Sequence, residues 1–170
     1  QLSDADISAS TSTICSRTRY TSTANRGRIV AGRDANWLHG HHDGKSGIAY
    51  YEGWQTSSAS TVSDESAWLV FCGQNGGSGY FRADGITVAQ STSGTGNKQI
   101  TVNDEAYGQV SDWAAAEIIT WDFALSLAQI ERVEAHRFGL FPTPTPAPTT
   151  TAAPTANFAD FPPYAHYTFD

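Results

Sequence analysis

Tyr80-Phe81-Arg82-Ala83-Asp84-Gly85-Ile86-Thr87-Val88-Ala89 is the stretch that decides the fold. Its two four-residue runs, 80–83 and 86–89, are rich in aromatic and β-branched side chains, which suit a pleated, half-buried surface. Asp84-Gly85 stands between them, a pair that supplies the positive φ angles of a tight hairpin turn. The same texture recurs on both sides. Residues 28–31, 37–41, 48–53 and 67–72 upstream, and 99–102 and 114–121 downstream, read as further short strands punctuated by glycine. Residues 1–24 are rich in Ser and Thr, with Ile14 and Tyr20 as core contacts of one early strand. Seven or more short strands with Gly-rich turns predict an all-β chain, a β-sandwich or jelly roll.

One helix interrupts the pattern. Ser126 can cap it and Gln129 completes the S-x-x-Q capping box. Leu127, Ile130 and Val133 recur at helical spacing, Phe138 comes near the end, and Gly139 is placed to stop it in a left-handed conformation. One side of this helix is expected to pack on the sandwich edge or on its last strand.

Composition narrows the functions. The chain has 170 residues, 39% of them apolar and 12% aromatic, enough for one domain with a real core plus a tail. Ten Lys and Arg face 17 Asp and Glu, for a formal charge of −7. With no basic stripe, nucleic acid and anionic membrane are poor partners. No apolar run approaches the roughly 20 residues that span a bilayer. No signal peptide opens the chain, and a start at Gln1 with no Met anywhere is what a mature, processed product would show. Cys15 and Cys72 both sit in apolar contexts, with no His or Asp at metal-ligand spacing. In a secreted chain they form a disulfide, closing a loop of about 57 residues worth about 4 kcal/mol in the chain-entropy model; the other reading is two buried thiols.

Beyond the helix the texture changes again. Residues 142–154, Pro-Thr-Pro-Thr-Pro-Ala-Pro-Thr-Thr-Thr-Ala-Ala-Pro, favour an extended polyproline II rod. At about 3.1 Å per residue the rod spans on the order of 40 Å. Pro and Thr in this arrangement also suit mucin-like or hydroxyproline-type O-glycosylation. The candidate positions are Thr143, Thr145, Thr149, Thr150, Thr151 and Thr155, with Pro142, Pro144, Pro146 and Pro148. The chain has no N-x-S/T sequon, so any glycan is expected to be O-linked; the plain alternative is a bare linker. Residues 156–170 then turn aromatic, with Phe158, Phe161, Tyr164, Tyr167 and Phe169, and such a segment calls for burial. Three parts follow: a sandwich over 1–141, an extended linker over 142–157, and a terminal strand segment over 158–170.

Residues 112–122, Asp-Trp-Ala-Ala-Ala-Glu-Ile-Ile-Thr-Trp-Asp, followed by Ala124-Leu125-Ser126, resemble the closing strand and helix start of concanavalin A-like, LamG-type domains. Asn36-Trp37-Leu38-His39-Gly40-His41, Ala49-Tyr50-Tyr51-Glu52-Gly53-Trp54 and Ala83-Asp84-Gly85 are similar to other pieces of such secreted domains. The resemblance covers about residues 10–140. It implies a concanavalin A-like jelly roll whose opening strand pairs with the closing one. That opening strand is not evident in the polar residues 1–12; an element of its type stands at the far end, in Tyr164, Ala165, His166, Tyr167, Thr168, Phe169 and Asp170. The tail either folds back into its own domain, as a circular permutation would, or enters a neighbour as a donor strand; an unrelated tail is the third reading. The layout resembles subunits of extracellular glycosylated fibrils assembled by strand exchange. It implies identical subunits as partners, O-linked glycans on the linker, and no catalysis.

Other candidate sites weigh less. Glycoside hydrolysis needs two carboxyls about 5–9.5 Å apart, but Asp64-Glu65 and Asp104-Glu105 are adjacent pairs in polar loops and read as solvated charge. His39 and His41 alternate and could hold a transition metal from one strand face, or simply line a polar surface at a strand end with His42 and Asp43. Calcium is expected as a structural ion on Asp112, Glu117 and Asp170; in the plain reading Asp112 ends a turn and Glu117 faces solvent. Tyr50, Tyr51 and Trp54 could stack on sugar rings, giving a secreted carbohydrate-binding module on a stalk as the alternative function. Alternation puts Tyr50 and Tyr51 on opposite faces, so part of that set belongs to the core.

Overall fold

A computed structural model describes residues 6–7, 11–33, 35–64, 66–92, 94, 98–104, 108–139 and 165–168. In chain order the elements are β1 (Asp6–Ile7), β2 (Ser12–Tyr20), β3 (Val30–Gly32), β4 (Trp37–His42), β5 (Lys45–Tyr51), β6 (Leu69–Asn75), β7 (Tyr80–Ala83), β8 (Ile86–Gln90), β9 (Lys98–Val102), β10 (Trp113–Trp121), α1 (Leu127–Phe138) and β11 (Ala165–Thr168). They build a sandwich of two antiparallel sheets. One has the order β1-β9-β3-β4-β5, the other β11-β10-β2-β6-β7-β8.

The strands lie where aromatic and β-branched runs place them, with ends set by turn chemistry. Asp84 (φ 46°) and Gly85 (φ 81°) make the expected tight turn between β7 and β8. Asp43 (φ 50°) and Gly44 (φ 72°) make another between β4 and β5, so the strand expected over 48–53 begins earlier, at Lys45. It stops at Tyr51 because Glu52 (φ 59°) turns the chain and brings the Gly53 carbonyl onto the Tyr51 amide at 2.9 Å. The two-residue β1 pairs with β9 in the five-stranded sheet, away from β10, so it does not supply the missing partner of the closing strand.

Alternation along each strand sorts side chains between two apolar layers. Ile14 and Tyr20 of β2, Trp37 of β4, Tyr51 of β5, Leu69 and Phe71 of β6, Phe81 of β7 and Ile118 of β10 meet between the sheets. The Trp37 and Tyr51 rings stack at 4.5 Å. Burying a side chain of this size stabilises by about 1.5–3 kcal/mol. Opposite-parity residues of the six-stranded sheet, Cys15, Val70, Cys72, Ile119 and Trp121, form an apolar stripe on its outer face. α1 covers that stripe with Ile130, Val133 and Phe138.

The helix therefore lies across a sheet face, reaching from β10 to β6, rather than along an edge. Its ends are those the sequence calls for. The Ser126 hydroxyl accepts from the Gln129 amide at 3.3 Å, and the Ser126 amide donates to the Gln129 side chain at 2.7 Å. Gly139 closes it at φ 70°, its N–H donating to the Glu134 carbonyl. Removing such an N-cap costs about 1 kcal/mol. Beneath the helix Cys15 and Cys72, register partners on β2 and β6, form a disulfide.

Candidate assembly site

β10 is the longest shared seam of the sandwich. On one side it pairs with β2 from Trp113↔Tyr20 to Trp121↔Thr13, with a bulge between Ala115 and Glu117. That extra residue keeps Trp113, Ala115 and Ile118 all facing the core despite the odd spacing. On the other side it receives β11 antiparallel, in the register Glu117↔Thr168, Ile118↔Tyr167, Ile119↔His166 and Thr120↔Ala165. The strand 165–168 thus lies at the edge of the six-stranded sheet, on β10 of its own chain. Phe169 and Asp170, Tyr164, and the linker positions from 142 to 155 lie outside the described residues.

The outward face beside this seam is charged. Glu117 sits opposite Arg17 and takes an ion pair from Arg137 at 3.6 Å, with its side chain only 13% exposed. It does not face solvent. Arg17 and Arg19 lie over the Trp68 ring at 5.5 and 4.9 Å. A second contact fixes the helix to the sheet. Arg82 of β7 donates to Glu134 of α1 through Nε (3.1 Å to each carboxylate oxygen) and Nη2 (2.9 Å). Both side chains are under one-tenth exposed. Burial outweighs the Arg82 hydrogen bonds and holds the Glu134 carboxyl above its ordinary value.

Asp112, the other acidic residue near the closing strand, is bound up in a loop. It accepts from Ser22 Oγ (2.5 Å) and Asn25 Nδ2 (3.3 Å), and the Ser22 bond leads in holding its carboxyl below the usual range. Its backbone N–H donates to Asn25 O at 2.8 Å, so it pins the loop at 22–25 to the start of β10. Among the described residues no group of three or more His, Cys, Asp or Glu is gathered as a metal site, and Asp112 and Glu117 are engaged separately.

His39 and His41 are not on a polar surface. His39 and His41 are both fully buried, facing the core from β4. His39 Nε2 lies 3.1 Å from the Phe71 carbonyl, which can only accept, so that nitrogen carries the proton; Nδ1 then accepts from the Tyr51 hydroxyl at 2.9 Å. His41 Nδ1 meets the Thr18 hydroxyl at 3.2 Å. Desolvation pushes both imidazoles down to about 3, so they are neutral at physiological pH. The alternation His39-x-His41 showed a shared face, but nothing in it said which face. The aromatic trio divides as alternation predicts: Tyr51 is buried, while Tyr50 and the 45% exposed Trp54 meet edge to face at 5.2 Å. Asp64 accepts from its neighbour Ser66, and Asp104 pairs with Arg33 at 2.5 Å; Glu65 and Glu105 lie outside the described residues.

Sequence reasoning missed Arg82 and Glu134, which are 52 positions apart, and a polar pocket where loops meet at one end of the sandwich. Among the described residues no helix is long and apolar enough to cross a membrane. Fold and seam together define a β-sandwich stapled by a disulfide, with the strand 165–168 laid on a sheet edge. The chain matches no protein-family model, and no curated protein sequence matches it.

Proposed function

We propose that the chain is a structural subunit of an extracellular filament, a concanavalin A-like jelly roll that polymerises head to tail through its C-terminal strand. The observation that carries this reading is the place of β11. It ends the six-stranded sheet, with β10 as its sheet neighbour, and residues 140–164 separate it from α1. All seven prolines of the chain fall in that separating segment. A strand of this kind makes the same ladder whether it enters its own slot or a neighbour's, as in a domain swap. The linker decides between them. A flexible connection gives the tail a high effective concentration at its own slot; a semi-rigid polyproline spacer lowers it and points the strand away. Donor and acceptor surfaces differ, so exchange between subunits propagates as an open filament. The disulfide under α1 fits an oxidising compartment, and the Thr and Pro positions of 142–155 suit O-linked glycans.

The test removes the strand. Full-length protein should form filaments visible by negative stain, and a chain lacking residues 164–170 should stay monomeric. A synthetic peptide of residues 164–170 should bind the truncated chain and raise its melting temperature. Adding truncated chain to full-length protein should shorten the filaments, because it accepts but cannot donate. Full-length protein that remains monomeric at all concentrations, with its own tail protected from proteolysis, would overturn the proposal in favour of self-completion.

A further inference from the structure

We infer that Arg19 is the cation for the carboxylate of Asp170, and that this pair sets the register in which the terminal strand lies on β10. The inference needs only the pairing of β11 with β10. It holds whether β10 belongs to the same chain or to a neighbour, so it stands apart from the filament reading.

Arg17 and Arg19 share one ring, that of Trp68, on the outer face of the six-stranded sheet. A guanidinium stacked in this way uses its flat face and keeps its N–H edge for a carboxylate. Arg17 has carboxylates at hand: Glu117 is its register partner on β10, and Asp84 feels its charge. Arg19 has none among the described residues, and its Nε is buried without a hydrogen-bond partner. Its own register partner on β10 is Ala114. A half-buried guanidinium with no counter-charge is costly, and the chain has acid to spare, 17 Asp and Glu against ten Lys and Arg.

The register says which acid answers it. Thr168 pairs with Glu117 and is exposed, so the two share the outer face. Side chains alternate along a strand, so Asp170, two residues on, is due on that face as well. After the bulge between Ala115 and Glu117, the next outward position of β10 is Ala114, opposite Arg19. The row then reads Asp170, Ala114, Arg19 across three strands. Its ends are two strand spacings apart, about 9.5 Å, and alanine leaves the space between them to a long side chain. No neighbouring register serves. A one-residue slip turns Asp170 to the core face. A two-residue slip sets it level with Glu117 in one direction and with Asp112 in the other, carboxylate against carboxylate. A ladder of four residues is short, and the charge row supplies the register that its backbone bonds do not.

The experiment reads hydrogen exchange at the amides of 165–168 in the full-length chain, at low salt with EDTA. Wild type should protect them. Asp170→Asn should speed their exchange by about two- to fivefold, the scale of an opposite-charge cross-strand pair, and leave the amides of α1 unchanged. Arg19→Gln should do the same, and the two changes together should be no worse than either alone. Exchanging the charges, Arg19→Asp with Asp170→Arg, should restore protection. Salt at about 1 M should erase the difference between wild type and Asp170→Asn. Should the Arg19 variants fail to fold, Asp170→Asn and its salt dependence decide alone. Unprotected amides in wild type, exchange that Asp170→Asn leaves unchanged, or single effects that multiply in the double variant would each overturn the inference. So would protection that returns only when calcium replaces EDTA, which would give Asp170 to a metal ion. Filament formation is read separately, by particle size, so the failure of either reading leaves the other to be judged.

Discussion

Replacing Arg82 by Met tests how dry the space beneath α1 is. Met keeps the apolar stem and removes the charge that faces Glu134, a carboxylate whose side chain is 3% exposed. A buried, unpartnered carboxylate escapes by taking a proton. In the unfolded chain a glutamate titrates near 4.3, and each pH unit is worth 1.36 kcal/mol, so the escape costs about 3.7 kcal/mol at pH 7 and about 1 kcal/mol at pH 5. Those values are the ceiling on the share of the loss that comes from Glu134, beside the 5–15 kcal/mol typical of a whole domain; the bonds of Arg82 to Thr87 and Gly85 are lost as well. The sign follows from the direction of the shift. With its folded value raised, Glu134 favours folding below its unfolded value and loses that contribution as pH rises toward the folded one. Urea denaturation of wild type and Arg82→Met at pH 5, 6 and 7 should therefore show a difference that widens with pH once the wild-type carboxyl is ionised, by up to about 1.4 kcal/mol per unit. A difference that is small and flat over this range would mean that water reaches Glu134, and would refute the reasoning.

Two further outcomes follow from the core. His39 and His41 are held neutral with folded values near 3 against about 6.5 unfolded, so protonation of the unfolded chain erodes stability as pH falls below 6.5. Each contributes up to about 1.4 kcal/mol per unit; His39→Gln should reduce the slope of melting temperature between pH 6 and 4, and an unchanged slope would remove His39 from the account. Cys15→Ala with Cys72→Ala removes the cross-strand bond and should cost up to about 4 kcal/mol by loop entropy, read as a lower urea midpoint that reductant no longer shifts.

What was legible in the sequence was mostly local. Ser126 with Gln129, Gly139, and Asp84-Gly85 each specify their backbone within four residues, and each stands as read. Strand positions followed because alternation over four to nine residues is itself a local signal. The helix's resting place was harder: its partners Cys15, Val70 and Trp121 lie on three strands, and only their shared outward parity marks the stripe they form. The same limit hid the Arg82–Glu134 pair and the loop-end pocket, both assembled from distant segments. His39 and His41 misled for a different reason, since polar side chains at a strand end suggest water until Tyr51 and Phe71 are seen to complete their hydrogen bonds. For the tail, the strand character of 165–168 was readable, and the structure pairs that strand with β10.

The staple beneath the helix has a mechanical consequence. In a filament joined by terminal strands, a pull on the linker enters a subunit through β11 and passes into β10. From β10 the load spreads along the eight paired positions shared with β2, antiparallel strands loaded in shear rather than peeled apart one bond at a time. Cys15 then carries it into β6 through a covalent bond as well as the ladder the two strands share. Under tension the weak link is the four-residue junction at the sheet's rim, so an overstretched fibre should part between subunits and leave each folded body intact.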